Sequence, residues 1–366
     1  MSMSADAKKA WRDSPSWRDD PPGNPAGPAV PAWLDIADAL EHEPAPLDFV
    51  LPGYVAGSVG SIVAAGATGK TMLALQIAVH VSGGADTLAL EGVAGWKPTS
   101  GRVLYLSGED PADVIAGRIH AIGGYMLDAD ARARTAENLR IAPLVGYGAR
   151  IDQGIWRSWI ERESVDARLV IVDTLRRFHG ADENDGGEMA ALLAHLEHIC
   201  RVGGTSIVFL HHVSKASALN GAAGEQQASR GSSVLTDNVR WQANLATMSE
   251  REAKAAGVPD DQRRRFVRLA FPKVNYGPPV ADLWFQRERG GVLRPAPQIA
   301  AAAAAAPAAR AGKGKGKGKG GANAVVAAGA GDGADAGSDL PMAAILEARA
   351  IPAPPRLGDG NDDDNW

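Results

Sequence analysis

SVGSIVAAGATGKTMLALQIAVHV, residues 58–81, changes character at Gly66. Up to that point the run is small or apolar, with the β-branched Val59, Ile62 and Val63 of a buried strand. From 71 to 81 the apolar residues fall at helical spacing. Between the two, Ala64-Ala65-Gly66-Ala67-Thr68-Gly69-Lys70-Thr71 matches G-x-x-x-x-G-K-[ST], with Ala64 standing where the pattern has its first glycine. Such a turn points backbone N–H groups at phosphate oxygens, and the helix N-terminus adds a field that favours anions. The reading is an ATP site: Gly66, Ala67, Thr68 and Gly69 wrap the phosphates, Lys70 reaches the outer ones, and Thr71 offers its hydroxyl to Mg²⁺. The competing reading, an ordinary glycine-containing strand–helix turn, does not account for Gly-Lys-Thr at the required place.

Outward from this turn, strands alternate with helices. RVLYLSG (102–108) is strand-like, and a helix started by a proline follows near 111–122. LRIAP (139–143) precedes an amphipathic stretch at 152–163. RLVIVDT (168–174) is apolar up to a carboxylate, and a helix near 187–202 leads to TSIVFLHH (205–212). NVRWQANLAT (238–247), RFVRLAFPKV (265–274) and an edge segment near 282–294 complete the series. Near-continuous apolar strands alternating with helices predict an α/β fold with a mostly parallel sheet covered on both faces. The last three strands show no helices between them, so antiparallel additions at one edge are expected.

The 366 residues divide by composition. Residues 1–32 are rich in Pro, Asp and Gly without an apolar period and read as a disordered tail. From 296 the chain turns to Ala, Pro and Gly, carries GKGKGKGKG at 312–320 and ends in GNDDDNW, a low-complexity tail. One folded domain is thus expected over 33–295. A single cysteine, Cys200, excludes an internal disulfide and reads as a buried helix residue. With no signal segment and no membrane span in view, a cytoplasmic setting is expected. A net charge of −5 argues against a surface that is basic throughout, but not against a local basic groove.

Hydrolysis needs a metal-organising acid and a group that polarises water. Asp173 ends the apolar run LVIV, at the carboxyl edge where parallel sheets bind ligands, and reads as the acid that holds Mg²⁺ through water. Glu109, in LYLSGED, also follows a strand. If that strand neighbours the phosphate-loop strand, Glu109 faces the terminal phosphate as the catalytic carboxylate; alone, it would read as a solvated strand-end acid. Asp110 reads as the cap of the helix begun by Pro111.

In this order the motifs resemble those of the RecA/DnaB superfamily. LDFVLPGYVAGSVGSIVAAGATGKTMLALQ, YLSGEDP, VDTLRRFH, SIVFLHHVSK, QQASRGSSVLTDNVRWQ and KVNYGPPVADLWF resemble, more closely, the RepA family of hexameric replicative helicases from IncQ-type plasmids. The resemblance spans roughly 47–293 and implies a RecA-like core, a homohexameric ring, single-stranded DNA as partner, and translocation from 5′ to 3′ with ATP and Mg²⁺. Initiator and primase proteins are further partners it implies. By the same resemblance His212 is the sensor of the terminal phosphate, while His211 suits a structural role. Arg240 is the arginine finger supplied in trans, though a strand-surface charge is an equal reading of its residues. Lys273 is the nucleotide-side lysine of a K-x-R pair whose third position is here Asn275.

Two loops follow strand ends beside the site, RRFHGADENDGG (176–187) and VSKASALNGAAGEQQASRG (213–231). Arg176, Arg177, Lys215 and Arg230 are candidates to hold DNA phosphates. Contacts between subunits, or ion pairs with Asp182, Glu183 and Asp185, are the alternative for these arginines. Trp33 to Leu40 has helical spacing and reads either as a helix folded on its own domain or as one packed on a neighbour. Two other functions stay open: a RecA/RadA-like recombination or repair ATPase, and a nucleotide-switched DNA-binding regulator with little turnover.

Overall fold

The structure, a computed structural model, describes residues 33–125, 128–212 and 234–305. The chain divides into two units, Met1–Pro46 and Leu47–Trp366. In the first, helix α1 (Ile36–Glu41) is capped by Asp35, whose carboxylate accepts from the backbone N–H groups of Ala37 and Asp38. None of its residues is buried. The tails read at 1–32 and beyond 305 lie outside the described residues.

The second unit opens with a short antiparallel pair, β1 (Phe49–Leu51) and β2 (Tyr54–Val55). It continues with β3 (Val59–Ala64), α2 (Lys70–Gly83), β4 (Val103–Ser107), α3 (Ala112–Gly123), α4 (Ala129–Asn138) and β5 (Leu139–Pro143). Then come α5 (Gly154–Ser164), β6 (Leu169–Asp173), α6 (Gly186–Gly203), β7 (Ile207–His212), α7 (Val234–Asn238) and β8 (Trp241–Thr247). The last elements are α8 (Glu250–Ala256), β9 (Phe266–Val274), β10 (Leu283–Arg287), β11 (Leu293–Pro295) and α9 (Pro297–Ala305).

Strands β3 to β11 form one sheet in the order β11-β10-β9-β8-β3-β7-β6-β4-β5. From β8 to β5 every pairing is parallel, and from β8 to β11 every pairing is antiparallel. The α/β class, with a mostly parallel sheet and antiparallel edge strands, is the one the sequence predicts. One strand differs from that reading: β8 lies parallel to β3 rather than joining the antiparallel edge. The long connection over 213–240 explains this, since a parallel partner needs a crossover of a dozen or more residues. The edge segment near 282–294 is two strands rather than one, and α8, closed by a capping box between Ser249 and Glu252, separates β8 from β9.

Period-two alternation fills both faces of the sheet. Val103, Tyr105, Leu169 and Ile171 pack with Leu73 and Ile77 of α2. Their neighbours Leu104, Leu106, Val170 and Val172 pack with Ile160 of α5 and Leu193 and Leu196 of α6. Gln76, fully buried on α2, exchanges two hydrogen bonds with the Leu293 backbone and so ties the outermost strand to the phosphate-loop helix. Apolar packing runs past residue 295: Ala296 and Ile299 are buried with Met248 and Trp284, where the sequence reads a tail from 296. Cys200 is buried, its thiol pushed up to about 12 by burial, and donates weakly to the Ser58 carbonyl.

Candidate nucleotide and hydrolysis site

The turn between β3 and α2 has the geometry its sequence calls for. Ala64 closes β3 in register with His212 and Leu245 and has no left-handed conformation. Left-handed backbone falls instead at Ala67 (φ 58°) and at Gly69 (φ 99°), the residue before Lys70. The missing glycine at 64 therefore stands where the loop needs only a strand residue. Lys70 is buried, and its Nζ lies 3.3 Å from the Ala64 carbonyl, 3.2 Å from that of Ala65 and 3.3 Å from His212 Nδ1. Burial lowers its pKa, and the nearby carboxylates of Asp173 and Glu109 oppose that shift.

Asp173 ends β6 at the same edge, with only 1% of its surface exposed. Its Oδ2 accepts from the Tyr105 hydroxyl at 2.6 Å. Its Oδ1 is buried without a partner at full hydrogen-bond geometry, although the Thr71 hydroxyl is close enough to favour the charged form. Burial dominates and raises the carboxyl to about 6. A buried carboxylate oxygen beside Thr71 and Lys70 fits a hard divalent cation that carries phosphate oxygens and water as its other ligands. Nucleoside triphosphate and Mg²⁺ thus fit Gly66 to Thr71 with Asp173, and Mg²⁺ bound there would neutralise charge on the phosphates.

Glu109 reaches the site by a route the sequence does not show. Its strand β4 does not neighbour β3; β7 and β6 lie between them. The turn after β4 instead folds against the segment after β6. Gly108 N donates to the Asp173 carbonyl at 2.6 Å. A Cβ on Gly108 would fall 2.6 Å from Arg177 Cβ and 2.9 Å from the Phe178 ring, so only glycine permits this approach. Glu109 Oε1 then accepts from the Thr174 hydroxyl at 3.0 Å, with Arg177 Nε at 3.8 Å and His212 Nε2 at 4.0 Å. All three lie about one oxygen, and of these Thr174 is at hydrogen-bond distance and sets the carboxylate's orientation. His212 spans the site: Nδ1 lies 3.3 Å from the Lys70 ammonium and Nε2 4.0 Å from the Glu109 carboxylate. His211, next to it, is buried. Asp110 does not cap α3; it pairs with Arg118, about two helical turns along, and Pro111 occupies the cap position with no side-chain bond.

Arg240 and Lys273 lie elsewhere. Trp241 is in register with Gly60 and Leu245 with Ala64, which places Arg240 at the amino end of β8. Arg240 is level with Val59, five residues and roughly 17 Å along the strands from Ala64, where the phosphate loop of the same chain begins. Lys273 is paired with Gln242 on antiparallel β9, at the same amino edge. Its Nζ donates to the Thr236 and Asp237 carbonyls, at 3.0 and 2.7 Å. The sequence reading puts Lys273 beside the nucleotide, but within its own chain it lies apart from that site. The antiparallel pairing turns its strand end away. Arg240 is exposed beside it.

Among the loop residues, Arg176 lies 3.9 Å from Glu183, and Arg177 faces Glu109. Lys215 and Arg230 lie outside the described residues. The structure adds one contact with no sequence motif behind it. β10 runs back to the carboxyl edge, and Arg287 at its end donates to the Thr68 carbonyl at 2.6 Å and to that of Ala67 at 3.5 Å. Holding those carbonyls leaves the loop's N–H groups turned the other way. Thr174 and Tyr105 are likewise missed, because a hydroxyl inside an apolar strand or after its acid carries no spacing signal.

A family model described as an AAA domain matches residues 28–218, a little over half of the chain. Among solved structures, one ATPase domain is similar at 17% identity and TM-score 0.46, covering 65% of this chain and 84% of that one. A DnaB-like replicative helicase, described with its interactions with primase, is similar at 15% identity and TM-score 0.48, covering 65% of this chain and 57% of that one. No described helix is long and apolar enough to cross a membrane.

Proposed function

The chain belongs to the AAA domain family, and on that premise we propose that it is an ATP-driven ring motor that translocates on single-stranded DNA as a replicative helicase. The observation that carries the reading is the separation of Arg240 and Lys273 from the phosphate loop of their own chain. Lys70, Glu109, Asp173 and His212 meet at one edge of the sheet, whereas Arg240 and Lys273 stand at the other. A chain built this way supports hydrolysis fully only when a second copy brings its amino edge to the first copy's phosphate loop.

In that arrangement the loop N–H groups and Lys70 bind the phosphates, and Thr71 and Asp173 hold Mg²⁺. Glu109, its Oε1 anchored by Thr174, presents Oε2 to the attacking water and takes its proton. Arg240 of the adjacent copy stabilises charge developing on the transferred phosphoryl group. His212 touches both the lysine and the acid, and the segment that follows it begins with residues 213–215. Its position suits passing the state of the nucleotide to a DNA-holding loop, for which Lys215 and Arg230 are the proposed contacts. A homohexameric ring, 5′ to 3′ movement, plasmid or mobile-element replication in the cytoplasm, and initiator and primase partners belong to the same proposal, on the resemblance of the motifs quoted above.

The test is a forked-duplex unwinding assay with wild type, Lys70→Ala and Arg240→Ala. The wild type is expected to separate strands with ATP, and both variants to fail. ATP turnover without any strand separation would favour a recombination ATPase, and negligible turnover with DNA would favour a nucleotide switch.

A further inference from the structure

Beyond Glu109 and His212 the site opens into a cavity of about 530 Å³, whose other walls are Arg176, Arg177, His179 and Gly180. We propose that this cavity is a second anion site, which takes the inorganic phosphate leaving the hydrolysis site. The inference rests on the ATPase reading above and assigns the product side of that same site.

His179 is the built element. It is only 5% exposed, and neither ring nitrogen has a hydrogen-bond partner among the described residues. A buried polar ring without partners costs free energy unless a ligand satisfies it. Burial, together with the neighbouring Arg176, lowers its pKa, so at neutral pH it offers one N–H donor and one acceptor. A phosphate ion can satisfy one of the two: an oxygen accepts from the N–H, or its O–H donates to the bare nitrogen. Arg176 and Arg177 make only loose ion pairs, at 3.9 and 3.8 Å, which leaves their N–H donors available to an anion. Among the walls, the Glu109 carboxylate disfavours an anion, and the guanidinium groups of Arg176 and Arg177 favour one.

A lone ion suits the place better than a nucleic-acid strand. The adjoining hollow, of about 610 Å³, shares Arg176 but is walled by Asp182, Glu183 and Glu188. A polyanionic strand continuing from the cavity would meet three carboxylates there, whereas an ion held by Arg176 and His179 has to displace at most the loose Arg176–Glu183 pair.

Phosphate binding is read without turnover, by calorimetric titration of inorganic phosphate into the full chain with Mg²⁺ and ADP. Phosphate is expected to bind the wild type. His179→Ala and Arg176→Gln should each weaken it roughly tenfold, the loss of one charge-assisted hydrogen bond, while Arg176→Lys retains most of the affinity. Arg176 is exposed, so its variants keep the test informative if His179→Ala does not fold. Unchanged phosphate affinity in Arg176→Gln and His179→Ala, or no binding to the wild type, overturns the assignment. So does displacement of phosphate by a short oligothymidylate, which would give the cavity to a nucleic-acid backbone. A wild type that binds phosphate here but turns over no ATP would sink the proposed function and leave the anion site standing.

Discussion

The two edges of the sheet are built for opposite conditions. At the carboxyl edge Lys70 and Asp173 are withdrawn from water, and Thr174 grips the more exposed Glu109. At the amino edge Arg240 is exposed, and Lys273 is held by two carbonyls rather than by an acid. An exposed guanidinium beside a second cation gains little within its own chain. On the proposed reading, the carboxyl edge is assembled within one chain, whereas the amino edge serves the site of a neighbouring copy.

The comparison is broken most easily at its exposed end. If Arg240 serves a neighbour, Arg240→Ala should lower kcat by on the order of 10³-fold. Nucleotide affinity of the same protein, measured by equilibrium binding, should barely change. At the buried end Lys70→Ala should abolish both, with a loss of roughly 10²–10³-fold or more in turnover. Equal loss of binding in the two variants would erase the distinction between the edges.

Asp173 sharpens the contrast through stability. Its carboxyl is raised from 3.8 to about 6 by burial. A raised acid costs the fold nothing below the unfolded value, and the cost grows as pH rises from there to the folded value, where it becomes complete. Asp173→Asn should therefore stabilise the nucleotide-free protein at pH 8, by about 2–3 kcal/mol. The gain should fade toward pH 4, and hydrolysis should be lost throughout. Melting curves at the two pH values check this; a variant less stable at pH 8 would contradict it.

The smallest expected effect is at Thr174. Thr174→Val keeps the shape but removes the hydroxyl that orients Glu109. Its kcat should fall roughly five- to tenfold with KM unchanged, and Thr174→Ser should restore it. An unaltered kcat in Thr174→Val would mean that the Glu109 carboxylate needs no anchor.

What the sequence shows of this site follows from how each residue is selected. Gly69, Lys70 and Thr71 carry a spacing rule, because a loop that wraps phosphates fixes its own local order. Asp173 is visible because a carboxylate interrupts an apolar run. Strand β8 is misread because a Gly/Ala/Ser-rich connection hides a crossover and its short helix. Glu109 is placed at the site on the wrong premise: its strand is three places from the expected neighbour, with two strands between, and the contact is made by Gly108 lying against Arg177. Arg287 and Thr174 could not be read at all, since their partners are more than sixty residues away in the chain and only the folded sheet brings them together.

The proposed motor depends on a working site shared between two copies. Mixing Lys70→Ala chains with Arg240→Ala chains tests it directly. Each variant alone should be inactive, but a mixed interface joins the intact phosphate loop of one chain to the intact amino edge of the other. ATP hydrolysis is predicted to reappear on mixing. A mixture that stays inactive, under conditions where wild-type chains assemble and hydrolyse ATP, would contradict the claim.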